Sequence, residues 1–206
     1  MFTPYGYSTM IKALLICMLC SGAALFFPPG VKIALLIATA SFSLFTLYFF
    51  RDPERKVPNE QRIILAPADG SILLVQKQEE STLVSIFMSP FNVHVNRIPI
   101  SGRVTKVNYK PGQFLMAFDN RSMESNEKME IGIDNGEIRV LFSQVSGFLA
   151  RRIVCPLQKD EQVTIGNRFG MIKFGSRVDL TLPPGATVEV QVGQKSVAGR
   201  TILARY

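Results

Sequence analysis

The chain contains a single histidine, His94, so any imidazole acid or base in the protein must be this residue. A zinc hydrolase site is excluded, because it needs two or three such ligands. Two other residues could act with His94: Asp69 in Ala66-Pro-Ala-Asp-Gly70, and Ser176 in Phe174-Gly-Ser-Arg-Val-Asp179. An aspartate, a histidine and a serine that meet in space form an oriented base and a nucleophile, whatever their order in the chain. The sequence supplies the three residue types without showing that they meet.

Each of these residues also has an ordinary structural interpretation. Asp69 is a turn residue that can hydrogen-bond its own backbone, Ser176 a loop serine, and His94 a hydrogen-bonded polar residue. The Gly-x-Ser-x-Gly pentapeptide of lipases and esterases does not occur in the sequence. The three cysteines are too few for a disulfide framework, and we predict free thiols in a reducing compartment and no metal site. They are Cys17, Cys20 and Cys155.

The first 50 residues have the composition of a membrane segment. Lys12 and Lys32 are the only charged residues there, whereas charged residues make up 19% of the whole chain. Two apolar runs, Ala13–Phe27 and Ile33–Phe50, would extend about 22 and 27 Å as helices. Pro28-Pro29-Gly30 lies between them and is expected to end one helix and turn the chain. We therefore predict a hydrophobic α-helical hairpin, either spanning the bilayer or re-entrant.

Basic residues follow the second apolar run. Both forms of the hairpin return its two ends to the same side of the membrane, and the positive-inside rule places that side in the cytoplasm. The sequence therefore predicts a membrane-associated segment, residues 1–50, and a globular domain, residues 51–206, on the cytoplasmic face of the cell membrane. The flanking basic residues are Arg51, Arg55, Lys56 and Arg62.

Residues 51–206 alternate short β-branched or aliphatic runs with turns rich in Gly, Pro, Asn and Asp. This pattern is typical of strands, so we predict a mainly β domain with a compact sandwich-like or barrel-like form. Ala150–Cys155 is compatible with a helical turn. The predicted strands are Ile72–Val75, Leu83–Phe87, Val93–Val95, Gly102–Tyr109, Ile138–Phe142, Val178–Leu182 and Val188–Val192.

The net charge of +7 does not indicate a nucleic-acid partner. The sequence has no run of five like charges, and no basic stretch interleaved with aromatic residues as a nucleic-acid groove requires. A mildly basic domain tethered to a bilayer is better suited to anionic lipid headgroups. The predicted partner is therefore a membrane surface.

Four motifs occur along the chain in a fixed order. They are Ala66-Pro-Ala-Asp-Gly70, Met88-Ser-Pro-Phe-Asn-Val-His-Val-Asn-Arg97, Gly147-Phe-Leu-Ala-Arg-Arg-Ile-Val-Cys155 and Phe174-Gly-Ser-Arg-Val-Asp179. Together they resemble the motifs of the phosphatidylserine decarboxylase family in its short, membrane-anchored form. The resemblance extends from about Phe50 to the C-terminus. The two apolar runs and the Arg-Asp-Pro junction at 51–53 also resemble that form.

The resemblance implies a self-processing proenzyme. The chain would break between Gly175 and Ser176, giving chains 1–175 and 176–206 that remain together as a heterodimer; a higher oligomer is left open. His94 would be the base that activates Ser176, and Asp69 would fix the tautomer of His94. Gly175 has no Cβ, so its carbonyl is open to attack. Autocatalytic cleavage would convert Ser176 into a covalent pyruvoyl cofactor.

The resemblance further implies decarboxylation of phosphatidylserine to phosphatidylethanolamine and CO2 through a pyruvoyl Schiff base. His94 is the candidate proton donor, and its division between maturation and turnover is left open. Longer members of the family have a second histidine where this chain has Arg97, and we expect an aspartate where it has Asn92. Arg97 is the candidate for binding the substrate carboxylate or phosphate, the alternative being a solvated strand residue.

Three other functions are compatible with parts of the sequence. An archaetidylserine or another serine lipid would leave the same motifs, since lipid tails leave no signal in them. A non-enzymatic, membrane-anchored β adaptor or carrier module would need a displayed lysine; Lys195 is the nearest candidate but lacks the flanking methionine. A serine peptidase could use Asp69, His94 and Ser176, but no oxyanion-loop signature accompanies them.

Overall fold

The computed structural model describes residues 1–116, 125–147, 152–173 and 176–206. The chain divides into two compact units, Met1–Glu54 and Arg55–Tyr206. The fold is mainly β with two apolar helices at the N-terminus, which confirms the predicted fold class.

The first unit is a helical hairpin. A short 3-10 turn, Pro4–Gly6, leads into α1, Tyr7–Ala24, and α2 follows at Pro29–Phe49. Pro28 precedes the first residue of α2 and Pro29 lies in its first turn, where a missing N–H costs nothing. Ser21 Oγ and Thr39 Oγ1 lie 2.8 Å apart and join the two helices. Both helices are long and apolar enough to cross a membrane.

The second unit contains a curled eight-stranded sheet whose neighbouring strands all pair antiparallel, in the order β13-β2-β3-β11-β7-β6-β5-β9. Its strands, in chain order, are β2 Gly70–Lys77, β3 Thr82–Met88, β5 Gly102–Lys110, β6 Lys128–Asp134, β7 Arg139–Val145, β9 Gln162–Val163, β11 Ser176–Leu182 and β13 Lys195–Ser196.

Two three-stranded sheets complete this unit. One has the order β1-β14-β12 and the other β4-β10-β8. Their strands are β1 Ile63–Leu65, β4 Val95–Arg97, β8 Arg152–Val154, β10 Arg168–Lys173, β12 Thr187–Val188 and β14 Ile202–Arg205.

One face of β3 and β11 supplies much of the apolar core. Ile86 pairs with Val178 and Val84 with Leu180, and all four side chains are buried. Phe142 of β7 and Phe169 of β10 meet edge to face, with ring centroids 5.4 Å apart. Alternation along a strand directs every second side chain to this face, so β3, β7 and β11 share one buried layer.

The sequence patterns located seven of the fourteen strands in the described part of the chain. The predicted helical turn over Ala150–Cys155 is wrong for the described residues, because Arg152–Val154 pairs with β10 as strand β8; residues 150–151 lie outside the described part. Val93–Val95 overlaps β4, which begins only at Val95. In β6 and β10, charged residues and internal glycines weaken the alternation that identifies a strand, and both were missed. The prediction also missed β1, β9, β13 and β14.

The close approach of β2 to β3 at Gly70 can be tested by substitution. A Cβ at this position would lie 2.0 Å from the carbonyl oxygen of Phe87, which is fixed backbone. We expect Gly70→Ala to lower the free energy of unfolding by about 1–3 kcal/mol, as overpacking does, measured by urea titration. Ser71→Ala on the same strand is the control, with a change within about 0.5 kcal/mol. Equal stability of both variants would contradict the contact.

Candidate active site around Ser176

Ser176 is the first residue of β11 and is fully buried. It pairs with Met88, the last residue of β3, and its Oγ donates to Met88 Sδ at 3.5 Å. Sulfur is a weak acceptor, so the hydroxyl is held only loosely. Gly175 precedes Ser176 and lies outside the described residues.

His94 lies in the segment between β3 and β4, directly before Val95. Its Nδ1 is 2.9 Å from the carbonyl oxygen of Asn92. A carbonyl oxygen only accepts, so Nδ1 carries the hydrogen and the lone pair of the neutral ring is on Nε2. The turn is fixed in addition by Asn92 Oδ1, which accepts from Ser89 N at 2.9 Å and Ser89 Oγ at 2.8 Å. The backbone of Asn92 thus selects the tautomer of a buried imidazole.

A layer of buried polar side chains links β4 and β7 to Ser176. Gln144 Nε2 donates to Asn96 Oδ1 at 2.8 Å, and Asn96 Nδ2 approaches Met88 Sδ at 3.8 Å. The same sulfur accepts from Ser176 Oγ. His94 and Asn96 are two residues apart in an extended segment, so they lie on the same face. Ser176 and Asn96 therefore both contact Met88, and His94 lies on the same face of its segment as Asn96.

Asp69 makes a different set of contacts. Its carboxylate pairs in bidentate fashion with Arg55, with both N···O distances at 2.9 Å, and accepts from the amide of Ala198 at 2.8 Å. The family resemblance implies that Asp69 fixes the tautomer of His94, but in the structure the contact at His94 Nδ1 is made by the Asn92 carbonyl. Among the described residues, Asp69 is thus joined to Arg55 and the Ala198 backbone.

Arg97 is buried, and its Nη1 donates to the carbonyl of Gly166 at 2.9 Å. Alternation along β4 places Arg97 and Asn96 on opposite faces of the strand. Its role in binding a substrate anion stays a prediction.

Sequence reasoning missed the supporting polar groups. Asn96 and Met88 lie inside the motif that contains His94, but nothing in a sequence tells which polar strand residues are buried. Lys173, at the end of β10, is largely buried; burial, followed by the nearby charge of Arg152, lowers the pKa of its ammonium group. Lys173 is two residues before Gly175, the residue on the N-terminal side of the predicted cleavage bond. Groups with shifted pKa values are often found in functional sites.

The other side of β11 carries a separate ionic group. Arg177 is fully buried, donates to Ser85 Oγ at 2.8 Å and forms an ion pair with Asp179. Arg177 and Asp179 alternate with Ser176, so this pair faces away from the core.

The described residues contain no group of three or more His, Cys, Asp or Glu side chains that could hold a metal ion. The cysteines in this part of the chain are free. Burial raises the pKa of the Cys155 thiol to about 11, which keeps it protonated at neutral pH.

Comparison with known proteins places this site in a family. A family model described as "Phosphatidylserine decarboxylase" matches residues 42–204, which include all four motifs. The chain belongs to the phosphatidylserine decarboxylase family. This confirms the resemblance seen in the sequence and identifies the protein as an enzyme, a decarboxylase of phospholipid metabolism.

Relatives within the phosphatidylserine decarboxylase family match over the full chain. A protein of Pelodictyon phaeoclathratiforme is 71% identical over 212 residues, covering 100% of both chains. Proteins of Chlorobium phaeobacteroides and Chlorobium chlorochromatii are 60% and 58% identical, covering 99% and 100% of both chains respectively. All three are named phosphatidylserine decarboxylase proenzyme.

The tautomer of His94 can be measured directly because the protein has one histidine. We expect nitrogen-detected NMR of the uncut Ser176→Ala protein to show hydrogen on Nδ1 and a lone pair on Nε2 of the neutral ring. The signal is assigned by its loss in His94→Ala. A ring with its hydrogen on Nε2 would contradict the Asn92 contact and the site geometry derived from it.

Proposed function

We propose that this protein cuts its own chain between Gly175 and Ser176, converts Ser176 into a pyruvoyl group, and then decarboxylates phosphatidylserine to phosphatidylethanolamine and CO2. The proposal depends most on the position of Ser176, a buried serine at the start of a central strand. Its hydroxyl donates to the Met88 sulfur, which is a weak acceptor. The single histidine of the sequence lies in the segment that follows Met88. The proenzyme names of its relatives support the same function.

Ser176 is suited to be the nucleophile of this cleavage. A hydroxyl that already donates to a strong acceptor would have to break that bond before it could lose its proton, whereas the Met88 sulfur binds weakly. Ser176 is fully buried, so its hydroxyl is shielded from bulk water. β11 is paired on both sides, which fixes the backbone of the nucleophile.

His94 supplies the base. Its Nδ1 hydrogen is committed to the Asn92 carbonyl, so Nε2 accepts the proton that Ser176 Oγ loses. The Asn92 carbonyl also stabilises the protonated ring that results, because it accepts from the now cationic imidazole.

Cleavage proceeds through an ester and then a dehydroalanine. Ser176 Oγ forms a bond to the Gly175 carbonyl carbon, the peptide C–N bond breaks, and the nitrogen takes up a proton, leaving an ester. Removal of the Ser176 α-proton then expels the Gly175 carboxylate from Cβ. The dehydroalanine at the start of the 176–206 chain adds water and loses ammonia, which leaves a pyruvoyl group.

The position of residue 176 fits such a group. It is enclosed, lies beside the apolar thioether of Met88, and has a proton-carrying imidazole on the adjoining segment. A pyruvoyl group supplies a carbonyl that combines with the substrate amine and accepts the electrons of the breaking C–CO2 bond. His94 then donates a proton to the substrate carbon from which CO2 has left.

The two product chains remain associated because of the strand order. The 176–206 chain supplies β11, which lies between β3 and β7, and β14, which lies between β1 and β12. Val178, Leu180 and Leu203 from this chain are fully buried in the core. Cutting one peptide bond at the start of β11 leaves these contacts intact, which favours a stable heterodimer.

The helical hairpin suits a lipid substrate. Its two apolar helices would hold the enzyme at the cell membrane with the catalytic domain in the cytoplasm, so the acyl chains of the substrate stay in the bilayer while the headgroup reaches the site.

The roles of the two ring nitrogens of His94 can be tested separately by substitution. His94→Asn keeps a donor near the Nδ1 position but has no group at Nε2, whereas His94→Ala removes both. We expect both variants to slow cleavage at least 100-fold, because a general base is lost. The appearance of the 31-residue chain from 206-residue precursor is followed on gels, with Ser176→Ala as the uncut reference. Normal cleavage in His94→Asn would exclude Nε2 as the base.

Asp69 is proposed as a positioning residue that acts through Arg55. Asp69→Ala leaves the buried guanidinium without its carboxylate, and we expect a loss of about 3–5 kcal/mol in stability together with slower cleavage. The double variant Arg55→Met with Asp69→Leu removes both charges. We expect it to recover folding and cleavage, measured by urea titration and on gels. A stable but uncut double variant would instead assign Asp69 a direct role at His94.

A further inference from the structure

Two buried side chains on the Ser176 face of the sheet carry polar atoms that the resting protein does not use. Gln144 and Ser146 are each fully buried. Within the described residues, Gln144 Oε1 and Ser146 Oγ have no hydrogen-bond partner. Buried polar groups are almost always bonded, and those left over in a native fold require an explanation.

The neighbouring hydrogen bonds determine which atom of Gln144 is unused. Met88 sulfur only accepts, so Asn96 directs its amide nitrogen toward Met88 and its oxygen toward Gln144. Gln144 must then donate Nε2–H to Asn96 Oδ1, at 2.8 Å. The unused atom is therefore the oxygen, an acceptor that needs an N–H or O–H donor.

The strand register places both groups beside residue 176. Val178 pairs with Gln144 and Arg177 with Val145, so the next position along β7 brings Ser146 opposite Ser176. Directly opposed side chains on one face of an antiparallel pair have Cβ atoms about 4.5–5.5 Å apart. Gln144 lies one pair further along the same face and contacts Asn96 of the polar layer.

We propose that Gln144 and Ser146 bind the amino-acid end of the lipid headgroup: Gln144 Oε1 accepts from the substrate nitrogen, and the Ser146 hydroxyl donates to an oxygen of the headgroup. This inference rests on the proposed function. The substrate nitrogen has to reach the carbonyl formed at residue 176, which brings its α-carbon and carboxylate to the face that holds these two side chains. One unused acceptor and one unused hydroxyl match an amine and an anionic oxygen.

The uncut chain keeps this site closed. Ser176, Gln144 and Ser146 are all fully buried, so a headgroup in solution does not reach them in the uncut chain. Gln144 Oε1 and Ser146 Oγ would thus be in place in the precursor and would gain hydrogen-bond partners only when the mature enzyme binds its substrate.

The test is Ser146→Ala, examined for both cleavage and turnover. Thr105→Val is the matched control, because Thr105 Oγ1 is also buried without a partner in the described protein but lies on β5, three strands away from β11. Phosphatidylserine in mixed detergent micelles is the substrate, and released CO2 gives KM and kcat. Gels give the extent of cleavage, and Ser146→Thr keeps the hydroxyl.

We expect Ser146→Ala to cleave normally and to melt no lower than the unmodified protein, since Ser146 Oγ has no hydrogen bond to a described residue that the substitution would remove. KM for phosphatidylserine should rise at least tenfold with kcat within twofold, because a contact to the headgroup is lost. Ser146→Thr should stay within threefold of the unmodified KM, and Thr105→Val should not change it.

An unchanged KM in Ser146→Ala, an equal rise in Thr105→Val, or a fall in kcat alone would overturn the assignment. Blocked cleavage in Ser146→Ala would also overturn it, by giving Ser146 a role in maturation. Failure of the unmodified protein to cleave or to release CO2 would instead overturn the proposed function, so the two failures are distinguishable.

Discussion

β11 pairs with β3 on one side and β7 on the other, and this pairing positions both Ser176 and the C-terminal part of the core. This strand begins at Ser176, so the proposed nucleophile is the first residue of a strand that is paired on both sides. The same pairing would retain residues 176–206 after the proposed cut. The proposed self-cleavage needs both properties, and a serine at the start of a central strand would supply them together.

The polar layer at the end of the apolar core is the second constraint. His94, Asn96, Gln144 and Ser176 are buried on one side, where burial of polar atoms is costly unless they are bonded. Met88 is the common neighbour of Asn96 and Ser176, and its weak acceptor sulfur satisfies them without fixing them firmly. The proposed loss of the Ser176 proton would therefore have to break only a weak contact with Met88.

The sequence predicted the parts of this architecture that depend on local patterns. The helical hairpin followed from two uncharged runs interrupted by two prolines, and β3, β5 and β11 followed from dense β-branched residues. Motif resemblance identified the family before the fold was seen. Strands β8 and β10 could not be predicted, because their stability comes from pairing with each other and with β4.

Contacts between distant segments could not be predicted either. No local pattern predicts that Asp69 pairs with Arg55, or that a backbone carbonyl orients His94. Asn96 and Gln144 are 48 residues apart and look like ordinary strand residues until the fold brings them together. Such pairings depend on which faces the strands bury, and that is settled only by the whole sheet.

The central claim is that the chain converts its own serine into a carbonyl by cutting itself before Ser176. The most direct measurement is intact-mass spectrometry of the protein made by cell-free synthesis in detergent micelles, sampled over time and repeated after borohydride reduction. We expect the 206-residue chain to disappear as chains 1–175 and 176–206 accumulate. The shorter chain should lack a free amino terminus and gain two hydrogens on reduction. A persistent single chain, or a 176–206 chain that still begins with an unmodified serine, would contradict it.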